Sequence, residues 1–239
     1  MKSDHGHSKA EIASRLAAGG AAGGGRLRDA VYGGMDGAVT TFAIAAGVEG
    51  AGLAPSVVIV LGIANVLADG FSMAAANYLA TKADRDERRR LTAVERRHIR
   101  DFPEGEREEL RQILHQLGVS GAALESAVRA VSARPEKWIA LMLTGEYGLP
   151  PAAPDPVAAA LTTFVAFMLA GSVPLLPFML PLADPFPAAA AATGAVFFAI
   201  GASKSRWSLA RWYVSGLETL LIGSGAAALA YLAGSLLQA

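Results

Sequence analysis

The chain of 239 residues contains no cysteine. That absence removes disulfides, thiolate metal sites and cysteine nucleophiles together. Charge is also scarce, at 18% of residues, and has no net sign, with 21 Lys+Arg set against 21 Asp+Glu. A bulk pull on nucleic acid is therefore not expected, and no nucleic-acid partner is assigned. The opening stretch, MKSDHGHSKAEIASRLAAGGAAGGG, has no basic segment running directly into an apolar core. No cleaved signal peptide is expected there, and residues 1–28 read as a flexible tail. His5 and His7 within it are weak metal ligands at best.

What the chain has is apolar residues, 53% of the total, distributed very unevenly. That profile belongs to a small all-α polytopic membrane protein. A span needs about 20 mostly apolar residues, and five stretches qualify: approximately 29–52, 56–80, 157–182, 186–203 and 213–237. EGAGLAPS separates the first two, so they form a hairpin. The third carries Pro174, Pro177 and Pro181, each of which removes a backbone donor and favours an irregular far end. Trp207, Trp212 and Tyr213 are placed as interfacial anchors of the fifth.

Basic residues orient the spans. Five lie in the tail, thirteen between Lys82 and Lys137, and the remaining three are Lys204, Arg206 and Arg211. Lys and Arg in short loops stay in the cytosol. The N-terminus and the 81–155 insert are thus expected in the cytosol, with the C-terminus opposite. Ala, Gly and Arg usage is compatible with a bacterial inner membrane.

The insert, too long for a simple connection, reads as its own helical unit. TKADRDERRRLTAVERRHIRDF extends the second span until Pro103 interrupts it. EGEREELRQILHQLG forms the next helix, with Leu110, Ile113, Leu114 and Leu117 as its apolar stripe and Gly118 at its C-terminal cap. A third starts at the Ser120 cap, and a fourth runs from Pro135 to Gly148.

Setting aside Asp29 and Glu49 at the ends of the first span, the acids inside the spans are few: Asp36, Asp69 and Glu218. Burying an ionisable group at bilayer depth costs about 2.5–3.5 kcal/mol even on lenient scales, so each is a functional candidate by default. Glu218, near a cytosolic end with Arg211 close by, reads instead as a structural carboxylate. In the second span Asn65, Asp69 and Met73 follow one another at i, i+4 and stack on one face. Met73 with the Asp36 carboxylate makes a mixed thioether and oxygen set, suited to a borderline transition metal rather than Ca²⁺ or Mg²⁺. Gly33, Gly34, Gly37 and Ala38 offer a small surface on which two first spans can approach.

In the insert, Glu95 and His98 are spaced i, i+3, as are Glu106 and Glu109, while Met142 and Glu146 are i, i+4. Each pair shares a helix face, so three helices have the means to converge carboxylates, an imidazole and a thioether on one metal site. The plainer alternative is a solvated charged face.

YGGMDGAVTTFAIAAGV, LGIANVLADGFSMAAANYLATKAD and SGLETLLIGSGAAALAYLAG resemble the vacuolar iron transporter family, which also includes fungal vacuolar iron/manganese importers and plant nodulin-like proteins. The resemblance implies a five-span homodimer in the lipid bilayer that moves Fe²⁺ and related divalent metals out of the cytosol in exchange for protons. No permanently bound cofactor is implied. It implies a path at the dimer interface through Asp36 and Met73, and metal collection by Glu95, Glu106, Glu109, Met142 and Glu146. His98 stands where a further glutamate is expected and Asn77 where aspartate is common. Imidazole lowers the negative charge and moves preference toward Zn²⁺, Co²⁺ or Ni²⁺. Asn77 cannot carry a proton, which leaves Asp36, Asp69 or another group to couple. Two rival readings are a membrane-anchored di-iron ferroxidase, for which Glu95 and His98 supply only one E-x-x-H, and a metal sensor without transport.

Overall fold

A computed structural model describes residues 8–17, 24–207 and 209–238. His5 and His7 lie outside the described residues, as does the side chain of Trp207. Among the described residues every regular element is helical: α1 Lys9–Ala17, α2 Gly24–Gly50, α3 Pro55–Asp101, α4 Pro103–Gln116, α5 Gly121–Ser132, α6 Pro135–Gly145, α7 Pro156–Ser172, α8 Phe186–Lys204 and α9 Trp212–Gln238. Four of them begin on a proline and α8 begins beside one; proline tolerates the first helical turn because its missing N–H has no partner there anyway. Within the stretch expected to be a tail, α1 is held by a capping box in which Ser8 and Glu11 bond to each other's backbone and side chain.

The chain divides into two compact units, Ala22–Leu79 with Pro156–Ala239, and Met1–Ala21 with Ala80–Asp155. In the first, four helices are long and apolar enough to cross a membrane: α3, α7 with its following turn, α8 and α9. As expected from its prolines, α7 gives way at Val173 to a 3₁₀ segment that reaches Met179. Outward-facing Val60, Leu67, Phe71, Leu169, Leu221 and Leu229 are all more than half exposed, an apolar exterior of the kind that lipid rather than water solvates. α2, at 27 residues, has the length to span but carries Asp36 and many glycines, and it is not among the four.

α2 is the central helix of this unit, packing along α7, α8 and α9. Its glycines make that possible. A Cβ at Gly33 would collide with the Thr163 carbonyl and one at Gly37 with the Phe167 carbonyl, so the α2 and α7 backbones meet with nothing between them. This corrects the expectation that Gly33, Gly34, Gly37 and Ala38 serve contact between two first spans. All four are buried within one chain, because the nearest partner for a small surface is the next helix of the same bundle. Toward the hairpin end, Phe42 stacks on Phe186 with centroids 5.8 Å apart.

The second unit has its own core. Leu110, Leu114, Leu124, Val128, Trp138 and Met142 close α4, α5 and α6 around one cluster, each stabilising the unit by about 1.5–3 kcal/mol relative to exposure. Leu117 departs from the expected stripe and is 68% exposed. α4 has ended at Gln116 by then, and Gly118 at φ +89° reverses the chain. α6 likewise stops three residues before the expected Gly148, leaving Glu146 and Tyr147 in the turn that follows.

Candidate functional site

Two buried glutamates define the insert's polar centre. Glu95 on α3 is 0% exposed and Glu106 on α4 is 4% exposed. Each has one oxygen engaged and one orphaned. Tyr147 donates its hydroxyl hydrogen to Oε1 of Glu95 at 2.9 Å, and Nδ1 of His98 lies 3.2 Å from Oε1 of Glu106. Oε2 of Glu95 and Oε2 of Glu106 are both buried with no hydrogen-bond partner among the described residues. A buried carboxylate oxygen without a partner costs more than almost any other polar group in a fold, and a bound cation is one partner that satisfies it.

The electrostatics agree with crowded negative charge. Burial, then the charges of Glu95 and Glu109, pushes Glu106 up to about 7, with His98 pulling the other way. Glu146 is also raised, by burial first and then by Glu95 and Glu109. The Tyr147 hydroxyl is held protonated by burial first, then by its bond to Glu95 and by the Glu146 carboxylate beside it, which makes it a donor. With Nδ1 of His98 turned to Glu106, Nε2 is the ring nitrogen left for a ligand.

The structure therefore gathers Glu95, His98, Glu106, Glu109 and Glu146 within range of one another's charges. It does not close them. Among the described residues no three such groups meet at ligand distance. Met142 is fully buried in the cluster with Leu110, Leu114 and Trp138, and Glu146 is exposed at the cap of α6. Tyr147 went unpredicted, since it is 52 positions from Glu95 and nothing local marks the pairing.

In the other unit, Asp36 is half-buried on α2 and Met73 half-buried on α3, while Asp69 is exposed. The carboxylates of Asp36 and Asp69 are close enough for their charges to interact. No basic side chain pairs with Asp36 among the described residues. Thr40 donates to the Asp36 carbonyl at 2.9 Å, so its oxygen accepts from the Asn65 amide at 3.1 Å. Asn65 also reaches Thr41. Asn65, Thr40 and Asp36 thus form one polar strip across the α2 and α3 pair.

Asn77 donates to Asp29 at 3.0 Å and to Thr163 at 2.8 Å, tying α3 to α2 and α7. A neutral amide suits that place, because an aspartate would face Asp29. Glu218 pairs with Lys204 at 3.7 Å, both exposed, and Arg211 instead donates to the Tyr213 hydroxyl. The structural reading of Glu218 stands with a different cation. Trp212 and Tyr213 are exposed near the start of α9 and pack edge to face.

Residues 27–235 match the model of the VIT family. The chain is 36% identical over 217 residues to vacuolar iron transporter 1 of Arabidopsis thaliana, covering 89% of this chain and 86% of that one. It is 33% identical over 211 residues to vacuolar iron transporter 1 of Oryza sativa subsp. japonica, covering 86% and 82%. A vacuolar iron transporter of Plasmodium berghei is 26% identical over 224 residues, covering 89% and 82%. With its three sequence motifs, its apolar helices and a match that spans nearly the whole chain, this protein belongs to the VIT family.

Proposed function

We propose that the protein moves Fe²⁺ and related divalent transition metals, Mn²⁺, Co²⁺, Ni²⁺ and Zn²⁺ among them, out of the cytosol in exchange for protons. It does so as a five-span homodimer in which α2 supplies the fifth span. The insert and the N-terminus face the cytosol, and the C-terminus lies on the opposite side of a bacterial inner membrane. The observation that carries metal capture is the pair of buried oxygens, Oε2 of Glu95 and Oε2 of Glu106, that have no partner among the described residues. The names of the relatives support iron as the cargo.

In this reading the insert collects the ion with Glu95, Glu106, Glu109 and Glu146 and with Nε2 of His98. Met142 adds its thioether from the core side of α6. Asp36 and Met73 carry the ion across, with Asp69 adding charge beside Asp36, and a proton arriving from the far side displaces it from the Asp36 carboxylate. An intramembrane carboxylate without a fixed cation is what a path for a passing cation requires. A ferroxidase or a sensor has no need of it.

The test is uptake of Fe²⁺, Mn²⁺, Co²⁺ and Zn²⁺ into proteoliposomes under an imposed pH gradient. Uptake that depends on the gradient and fails in Asp36→Ala supports the proposal. Uptake by the Asp36→Ala variant equal to the parent would overturn the assigned path, and oxidation of Fe²⁺ without uptake would favour the ferroxidase.

A further inference from the structure

The two buried glutamates share an arrangement that bears on which cations the insert accepts. A glutamate has two oxygens, and a large hard cation such as Ca²⁺ gathers six to eight oxygens, commonly taking both from at least one carboxylate. Smaller transition ions are satisfied by one oxygen per carboxylate together with nitrogen. At Glu95 the Tyr147 hydroxyl, which also lies in hydrogen-bonding reach of Glu146, donates to Oε1 at 2.9 Å and leaves only Oε2 open.

We infer that Tyr147 is a specificity-determining positioning residue: by occupying Oε1 of Glu95 it limits that glutamate to one-oxygen coordination and so biases the insert against Ca²⁺ and toward small transition-metal ions. The inference rests on the proposed metal site at Glu95 and Glu106. It adds a residue that no spacing motif contains and a property, rejection of a large divalent ion, that capture by carboxylates alone does not supply. Bare glutamate clusters favour hard cations in high coordination, and the cytosol offers such cations in competition with the cargo.

The geometry makes the role specific. Tyr147 sits in the turn after α6, where the chain has left the helix at Gly145 and turns again at Gly148 with φ +66°. The Tyr147 ring packs with the Leu91, Ile139 and Leu143 cluster, so it is anchored by apolar contact independently of its hydroxyl. Removing the hydroxyl alone should therefore leave the ring in place and free Oε1.

The experiment titrates Mn²⁺ and Ca²⁺ separately into the full-length protein in detergent by calorimetry, for the parent, Tyr147→Phe and Glu95→Ala. The quantity read is the ratio of the Ca²⁺ to the Mn²⁺ dissociation constant, which does not depend on the folded fraction of a preparation. Tyr147→Phe is expected to lower that ratio about tenfold, chiefly through tighter Ca²⁺ binding. A tyrosine that only fills space would change both constants by the same factor. An unchanged or raised ratio overturns the inference while leaving the site intact. If Glu95→Ala leaves Mn²⁺ binding at the parent level, the metal site itself is misplaced, and the inference falls with it.

Discussion

His98 and Glu106 meet across α3 and α4, with Nδ1 3.2 Å from Oε1, while the other oxygen of the same glutamate is buried and unpartnered. Glu106 is pushed up to about 7 by burial and by the neighbouring carboxylates. Its folded value lies above its ordinary one, so its contribution to the stability of the metal-free protein falls as pH rises from about 4.5 to about 7. A metal reverses that cost and competes with the proton for the carboxylate. The rise in melting temperature produced by Mn²⁺ is therefore expected to be larger at about pH 8 than at about pH 6, and Glu106→Gln is expected to flatten the difference. Equal rises at both pH values in the parent would remove Glu106 from the ligand set.

Asp36 has no cationic partner among the described residues and interacts with Asp69. Asp36→Asn keeps the shape and removes the charge. Transport in proteoliposomes should drop to background while Mn²⁺ binding by the insert stays at the parent level, as read by calorimetry. Retained transport would mean that the ion passes elsewhere.

The Asn77 amide is bonded to Asp29 and Thr163. Asn77→Asp places two carboxylates together and should lower stability by about 1–3 kcal/mol. Asp29→Asn in the same chain should recover most of that loss, since the repulsion needs both charges. The measurement is the melting temperature of the four members of the cycle in one detergent. Additive effects would show that the two groups do not act on each other.

Gly37 touches the Phe167 carbonyl on α7. Gly37→Leu forces α2 and α7 apart and should cost at least about 1–3 kcal/mol by overpacking, read as lost monodispersity in size-exclusion chromatography after mild heating. Gly25, which has open space around it, is the control: Gly25→Ala should behave as the parent.

Glu218 and Lys204 are both exposed partners at 3.7 Å, and such pairs contribute about 0–1 kcal/mol. Glu218→Gln is expected to leave metal uptake unchanged. A loss of uptake would give this third acid of the spans a part in the path.

Much of the fold was legible in the chain. Pro55, Pro103, Pro135 and Pro156 open helices where the pattern places them, and the run of α3 from Pro55 to Asp101 follows from an apolar segment passing into a charged one without a breaker. The prolines after Ser172 end α7 for a reason visible in the residue itself. Other features were not legible. Periodicity places Leu117 on the stripe of Leu110 and Leu114, but the helix ends first. It also groups Met142 with Glu146, yet one faces the core and the other the solvent.

The same division holds at the site. Spacing pairs Glu95 with His98, Glu106 with Glu109 and Met142 with Glu146, and the family resemblance turns those pairs into a metal set, while Asp36 stands out by the cost of a carboxylate among apolar residues. Which oxygen of Glu95 is occupied, by which residue, and which is orphaned depend on Tyr147, brought to it from 52 positions away. The partner of the glycine surface on α2 was equally out of reach, since small residues declare that something comes close and not what.

Local chemistry, then, is what the residues settle alone: where backbone hydrogen bonding must stop, which segments water rejects, and which side chains are too costly to bury idly. Pairing across long separations is settled by folding, because contact between α6 and α3, or between α2 and α7, depends on how whole helices dock. Docking energy is spread over many side chains, and no single position in the sequence carries it.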